Sequence, residues 1–461
     1  MDKIFEWIVT INGAINDFVW GLPCIVLLMG TSLFFTIRLG FFQFARPRFL
    51  FRETIVKAFK KKDDTSKKPG EITSFQAAMT SVGAIVGSGN IAGVATAVVA
   101  GGPGAVFWMV IAALIGMATK FAEVTLGVKY REITEDGVQG GAMYYLAKGL
   151  KQKWLGILFS VLVIPYAFIL SAVVDTNTIA LAVHDQFTIP TWVTGVVLVA
   201  LTGIVIFGGI KRIGRASEII APFMGIAYIL AGLTVIVLNI TEVPAAIGMI
   251  LKGAFSPQGV TGGAVGSMFI VMRYGVARGI ISNEAGAGSA AMVHCGAKVD
   301  HPVEQGLWGA VEVFLDTVLV CTVTALTVVL SGLWQSGNGI DGAVLTMRAF
   351  EMLLPGKIGT WICLAAIILF GFSCLISFYT YAERAAVYIF GGKSRFVVKA
   401  LWLVMIFIGS QTTLGFAWDL ADTINGLMII PNLVGLLLLS GTVVKLKKEY
   451  FAERLPVHKE K

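Results

Sequence analysis

The stretch Val82-Gly83-Ala84-Ile85-Val86-Gly87-Ser88-Gly89-Asn90-Ile91-Ala92-Gly93 lies inside an apolar segment, residues 75–99, that is otherwise long enough to cross a bilayer. Glycine at 83, 87, 89 and 93 weakens a helix and turns backbone groups outward. In hydrocarbon such a break survives only where protein or a wet cavity satisfies the freed N–H and C=O groups. A later apolar segment carries a second glycine-rich stretch, Tyr274-Gly275-Val276-Ala277-Arg278-Gly279, with Asn283-Glu284-Ala285-Gly286-Ala287-Gly288 just after it. Broken spans in matching places of two halves point to the binding site of a secondary transporter.

Composition narrows the class. The 461 residues are 56% hydrophobic and 14% charged, with mean hydropathy +0.81, whereas soluble domains hold about 25% charged residues. The net charge of +8 sits mostly in connections between apolar segments, so topology accounts for it and no nucleic-acid partner is expected. The five cysteines form no CxxC pair and are read as buried thiols. No basic leading region marks a cleavable signal peptide. An enzyme is not expected: Gly87-x-Gly89-x-x-x-Gly93 has one residue too many for a dinucleotide fingerprint, there is no GxSxG, and the histidines show no zinc spacing. Nothing resembles the carbonyl or acidic rings of a channel filter.

At about 20 apolar residues per crossing, eleven spans are expected: 19–42, 75–99, 105–128, 154–183, 191–210, 219–240, 263–293, 306–330, 358–390, 396–411 and 415–444. Alternate connections are rich in Lys and Arg, which places the N-terminus outside and the C-terminus in the cytoplasm of a multi-pass cell-membrane protein. The basic linker 57–71 reads as a solvated segment near anionic headgroups. Residues 341–354 have helical periodicity and are expected to lie against the outer mouth. Without the first span, five crossings precede the connection 241–262 and five follow it. The second half therefore runs opposite to the first, and a broken span leads each half. The fold class is all-α: a LeuT-type 5+5 inverted repeat with two broken helices plus one extra N-terminal helix. The divisions are 1–72 (extra helix and linker), 73–240 (first repeat), 241–262 (outer connection), 263–444 (second repeat) and 445–461 (cytoplasmic tail).

Three motifs, in order, carry a family resemblance: Gly87-Ser88-Gly89-Asn90-Ile91-Ala92-Gly93-Val94, then Gly101-Gly102-Pro103-Gly104-Ala105-Val106-Phe107-Trp108-Met109-Val110-Ile111-Ala112-Ala113-Leu114-Ile115-Gly116, then Arg278-Gly279-Ile280-Ile281-Ser282-Asn283-Glu284-Ala285-Gly286-Ala287-Gly288-Ser289. The set closely resembles the alanine or glycine:cation symporter family, although the family usually has a second Trp where this chain has Val110. The resemblance implies uptake of alanine or glycine coupled to Na⁺, the coupling ion, with the lipid bilayer as surroundings and no obligate protein partner.

An amino-acid zwitterion needs donors for its carboxylate and acceptors for its ammonium. The half-helix after Gly87 offers free N–H groups and a positive dipole end, with Ser88 and Gly89 as donors. By resemblance to LeuT-type neurotransmitter:sodium symporters, Gly83 and Val86 would lend carbonyls to Na⁺. Asn90 would match a ligand of a second sodium site, or serve as a helix cap at the break. Ser373, with Ser377 a turn later, stands midway through 358–390, where that fold draws a side-chain oxygen; back-bonding to their own helix is the alternative. Cys374 falls where some relatives have a second hydroxyl. The carbonyls of Tyr274, Gly275 and Val276 would take the ammonium, and Tyr166 could reach the carboxylate. Phe370, with Phe168, Met272 and Phe372, is a candidate for crowding the pocket down to alanine size. Asp175 and Asn177 are placed along the access path. Arg278, charged near mid-span, needs a carboxylate among Glu284, Glu312 and Asp316, and the cluster reads as a cytoplasmic-side gate. A proton-coupled carrier of the same fold is the alternative function.

Overall fold

The computed structural model describes residues 2–60, 68–134, 137–255, 268–335, 340–412 and 415–454, nearly all of them helical. Helices α1 (Asp2–Val19) and α2 (Leu22–Arg38) meet at a 40° bend next to Pro23 and are together long and apolar enough for a crossing. Helix thus begins well before residue 19, where the first span was expected to start. Its polar early residues are held from the far end of the chain: Asn16 Nδ2 donates to Thr423 Oγ1 (3.1 Å) and Trp20 Nε1 to the Asp422 carbonyl (3.1 Å).

Helix α3 (Ser74–Ile85) starts at a capping box, in which Thr73 and Gln76 exchange backbone N–H to side-chain oxygen bonds at 3.1 Å each. Such caps contribute about 1 kcal/mol. Then follow α4 (Gly89–Gly101), bent 50° from α3, α5 (Gly104–Lys129), α6 (Lys153–Phe187), α7 (Thr191–Ile206), α8 (Gly209–Leu238) and α9 (Val243–Phe255). The second half holds α10 (Met268–Asn283), α11 (Ala290–His294), α12 (Pro302–Ser331), α13 (Gly342–Leu353), α14 (Ile358–Phe390), α15 (Ser394–Gly409), α16 (Gly415–Leu438) and α17 (Ser440–Arg454). A two-stranded antiparallel hairpin, β1 (Glu132–Thr134) with β2 (Gly137–Gln139), joins α5 to α6.

Among the described residues, six helices are long and apolar enough to cross a membrane, and eight crossings result if each bent pair counts as one. The other expected spans are the 16-residue helices α7, α10 and α15. Three segments read as connections or tail carry helix. The connection 241–262 contains α9, the expected tail is helical through Arg454, and the Lys211, Arg212 and Arg215 cluster belongs to α8. Residues 61–67 of the basic linker and 256–262 of the connection lie outside the described residues. Helix α13 does form from the periodic 341–354 stretch.

Helix α5 is the hub, packed on α2, α9, α10, α11 and α12. Small residues allow this, as expected where lipid offers no hydrophobic drive between helices. Gly104 lies on the backbone of Gly253, and Gly275 on the backbone of Ala105 beside Trp108. Trp108 also donates to the Ala254 carbonyl (3.1 Å). The broken helices pair across the molecule, α3 with α11 and α4 with α10. Large apolar side chains such as Ile204, Phe223, Val237, Phe396 and Val404 face outward, as a lipid-facing surface requires.

Candidate functional site

At the end of α3, Val86 leaves helical conformation (φ −81°, ψ 88°). The next amide, of Gly87, donates to Asn90 Oδ1 (2.8 Å) instead of closing the helical turn onto the Gly83 carbonyl. Asn90 therefore caps the break, the second of the two roles expected of it. Its Nδ2 donates to Asp316 Oδ1 (2.6 Å), which ties the break to α12. From α14, Ser373 and Ser377 face Gly83 so closely that a Cβ there would collide with Ser373 Oγ and sit 3.2 Å from Ser377 Oγ. Both hydroxyls are buried and without a hydrogen-bond partner among the described residues. A helical serine in a membrane ordinarily bonds back to its own helix, so these two leave lone pairs aimed at the broken turn. Cys374 Sγ, between them, donates to the Ala84 carbonyl (3.3 Å) and is 4.0 Å from that of Val86.

The second break is not where the glycines at 275 and 279 suggest. Helix α10 runs unbroken through Tyr274, Gly275 and Val276, so their carbonyls belong to its internal ladder, and Gly275 and Gly279 are notches for α5. The chain turns instead at Glu284–Ser289, where Glu284, Gly286 and Gly288 have φ of 52°, 91° and 85°. Its backbone is satisfied by protein: Gly286 N–H donates to Glu123 Oε2 (3.2 Å), and Asn432 Nδ2 donates to the Gly286 carbonyl (2.8 Å).

Between the breaks lies a cavity of about 20 Å³, room for roughly one water. Gly87, Ser88 and Gly89 form one wall, Ser282 and Glu284 another, and Asp175 of α6 a third; Leu170, Ile281, Phe378 and Trp418 crowd the rest. Tyr166 and Phe370 do not line it. Tyr166 donates to Glu284 Oε1 (3.2 Å) from behind the break, and Phe370 packs on the Tyr228 ring at 5.3 Å. Phe168 is likewise taken up by Trp402, at 4.9 Å.

Arg278 does not pair with any of the three expected carboxylates. It donates to Asp422 Oδ2 of α16 at 2.9 Å. Six residues of helix rotate its side chain well away from the direction of Glu284. Glu284 accepts from Ser289 (2.7 Å), Tyr166 and Tyr381. Glu312 meets His294 Nε2 (2.6 Å) and Ser81 Oγ (2.8 Å), and Asp316 takes Asn90, Ser282 and Thr317. The expected gate cluster is thus several separate networks. Arg278 also borders a wider recess of about 390 Å³, shared with Trp418, Met347 of α13 and Thr178. The recess lies on the side of the breaks away from the connections rich in Lys and Arg, where Arg131 is fixed to the carbonyls of Pro69, Cys295 and Ala297 and Arg384 to Glu71 (3.6 Å).

Asp175, expected along the access path, lines the cavity itself; Asn432 and the carboxylates Asp422 and Glu123 escaped the sequence reading of the site, the carboxylates against a plain rule. The signal was present: ionisable groups inside apolar segments are functional hypotheses by default.

The whole chain from residue 5 to 461 matches the model of the sodium:alanine symporter family. Sodium/alanine symporter AgcS of Methanococcus maripaludis is 42% identical over 96% of this chain and 97% of its own length. Two Bacillus subtilis proteins follow the same pattern: the probable sodium/glutamine symporter GlnT, 38% identical over 98% of this chain and 92% of its own, and the putative sodium/proton-dependent alanine carrier protein YrbD, 37% identical over 95% and 91%. Among solved structures, MhsT in complex with L-phenylalanine aligns over 82% of this chain and 99% of that one, with TM-score 0.58 and 14% identity, which gives the LeuT-type fold alone. The chain belongs to the sodium:alanine symporter family and is a membrane transporter, not an enzyme.

Proposed function

We propose that the protein carries alanine or glycine into the cell together with Na⁺, by alternating access around the cavity between the two breaks. The observation that carries this reading is the pair of buried, unpartnered hydroxyls of Ser373 and Ser377 aimed at Gly83. With the carbonyls of Gly83 and Val86 they form an all-oxygen donor set, which suits a hard cation. Ser88 and Gly89, opening α4, would hold the carboxylate. The bulky walls, Leu170, Ile281, Phe378 and Trp418, leave no room for a large side chain.

In this proposal eleven crossings form an extra leading helix (1–72) and two inverted five-helix repeats (73–240 and 263–444), joined by 241–262 and followed by the tail 445–461. The Lys- and Arg-rich connections face the cytoplasm, the N-terminus is outside and the C-terminus inside. Arg278 with Asp422 then forms the outer gate, between recess and cavity.

Proton coupling is the second reading, favoured by one observation: Lys120, Glu123 and Glu284 are almost wholly buried near the second break. The test is uptake of labelled L-alanine into proteoliposomes under a Na⁺, a K⁺ or only a proton gradient, with glycine and leucine as competitors. Accumulation that needs Na⁺ and yields to glycine but not leucine supports the proposal. Accumulation on the proton gradient alone selects the second reading, and no uptake by folded protein rejects alanine as cargo.

A further inference from the structure

Two carboxylates line the cavity, and the protein treats them differently. Glu284 accepts from three hydroxyls, those of Ser289, Tyr166 and Tyr381. The Lys120 ammonium sits beside it, donating to the carbonyl of Asn283 at 2.9 Å. Asp175 has only neutral company. Ser88 Oγ donates to its Oδ1 at 2.6 Å, and the Ser88 N–H, the Ser171 hydroxyl and the Cys374 thiol also point at it, all of them neutral donors. Among the described residues no Lys, Arg or His forms an ion pair with it.

Asp175 is 2% exposed in the middle of α6. A carboxylate at such a depth is costly without a countercharge. Asp316 also lacks a cation, but unlike Asp175 it does not line the cavity. The counter-ion of Asp175 must therefore arrive through the cavity. Besides a proton, which would neutralise Asp175 instead of pairing with it, two positive charges are on offer, Na⁺ and the substrate ammonium. The oxygens suited to Na⁺ gather at Gly83, whereas Asp175 is bonded to Ser88, where α4 begins and where a carboxylate would be anchored. In an α-amino acid the ammonium is one carbon from the carboxylate, so a group touching Ser88 is within its reach.

We propose that Asp175 accepts the ammonium of the transported amino acid, with Ser88 holding the carboxylate of Asp175 in place. This inference rests on the function proposed above and deepens it. It makes the site selective for zwitterions over simple carboxylates, because an acid without an ammonium would leave Asp175 unbalanced beside a second negative charge.

The test uses the purified full chain, wild type, Asp175→Asn and Asp175→Glu. Labelled L-alanine binding is measured at saturating Na⁺, with L-lactate as competitor, and Na⁺-dependent thermal stabilisation is measured without amino acid. Asp175→Asn is expected to weaken alanine binding by about ten- to a hundredfold, the loss of one charged hydrogen bond, with the Na⁺ stabilisation kept and lactate gaining ground relative to alanine. Asp175→Glu, which keeps the charge, is expected to bind alanine weakly and still refuse lactate; this variant decides the matter if Asp175→Asn does not fold. Wild-type alanine affinity in Asp175→Asn overturns the proposal, as does a folded Asp175→Glu that no longer distinguishes alanine from lactate. Loss of the Na⁺ stabilisation in Asp175→Asn also overturns it and makes Asp175 a sodium ligand. A wild type that binds no alanine, glycine or glutamine rejects the underlying function instead.

Discussion

Arg278 of α10 and Asp422 of α16 meet at 2.9 Å between a small cavity and a wide recess, and Trp418, one turn before Asp422, borders both spaces. The pair is only partly buried, 20% and 11% exposed, which suits the proposed gate. Asp422→Asn keeps the shape and removes the charge, which leaves the guanidinium short by about 1–3 kcal/mol. Alanine uptake is expected to fall about tenfold. A cysteine placed at Ile281, on the cavity wall, should react faster with a membrane-impermeant thiol reagent added from the recess side. Normal uptake with unchanged labelling would show that the pair gates nothing.

The sodium reading makes a different demand on α14. Ser373→Ala removes one oxygen facing Gly83 and should raise the Na⁺ needed for half-maximal uptake about tenfold, or about 1.4 kcal/mol. The maximal rate at saturating Na⁺ should change little. Gly83→Ala puts a methyl on the Ser373 hydroxyl and should abolish the Na⁺ response. An unchanged Na⁺ dependence in Ser373→Ala would place the ion elsewhere.

The first break was legible because its four glycines serve backbone rupture and close packing at once. The second was misplaced because glycine carries two meanings that a single sequence does not separate. At 275 and 279 it makes room for α5, while at 286 and 288 it supplies positive φ. Ser373 and Ser377 were found from the fold's expected geometry. The partners of Arg278 and Asp175 were not, since Asp422 lies 144 positions away and Ser88 lies 87. No local spacing encodes such pairs; only the packing of α6 and α16 against the breaks creates them.

Acidification tests the start of α12. His301 Nδ1 accepts the N–H of Val303 at 3.2 Å and its ring stacks on Tyr450 at 5.1 Å, with Glu304, Glu449, Glu453 and Arg454 around it. Burial pushes the imidazole pKa down, so the folded state takes up the proton less readily than the unfolded chain. The stability contributed is fully present above about pH 6.5 and is lost as pH falls through the depressed folded value. The thermal midpoint in detergent should drop between pH 7.5 and 5.5, and drop less in His301→Asn, which can cap at either pH. Equal slopes would remove His301 from the account.

Gly286, at the turn of the second break, sends its N–H to Glu123 and takes Asn432 Nδ2 on its carbonyl, while Asn432 Oδ1 accepts from Tyr145. These side chains come from α5, α16 and the segment before α6, so three elements hold one buried piece of non-helical backbone. Asn432→Leu keeps the volume but strands both the Gly286 carbonyl and the Tyr145 hydroxyl, at about 1–3 kcal/mol each. Tyr145→Phe strands a single acceptor, Asn432 Oδ1, and should cost about 1 kcal/mol, the low end of that range. Thermal unfolding in detergent should therefore rank Asn432→Leu well below Tyr145→Phe, and Tyr145→Phe just below wild type. The ranking depends on water being kept out, because water would replace the lost partners at little cost. If the two variants unfold alike, water reaches Gly286, and the second break would lie on a wetted path instead of being sealed by protein.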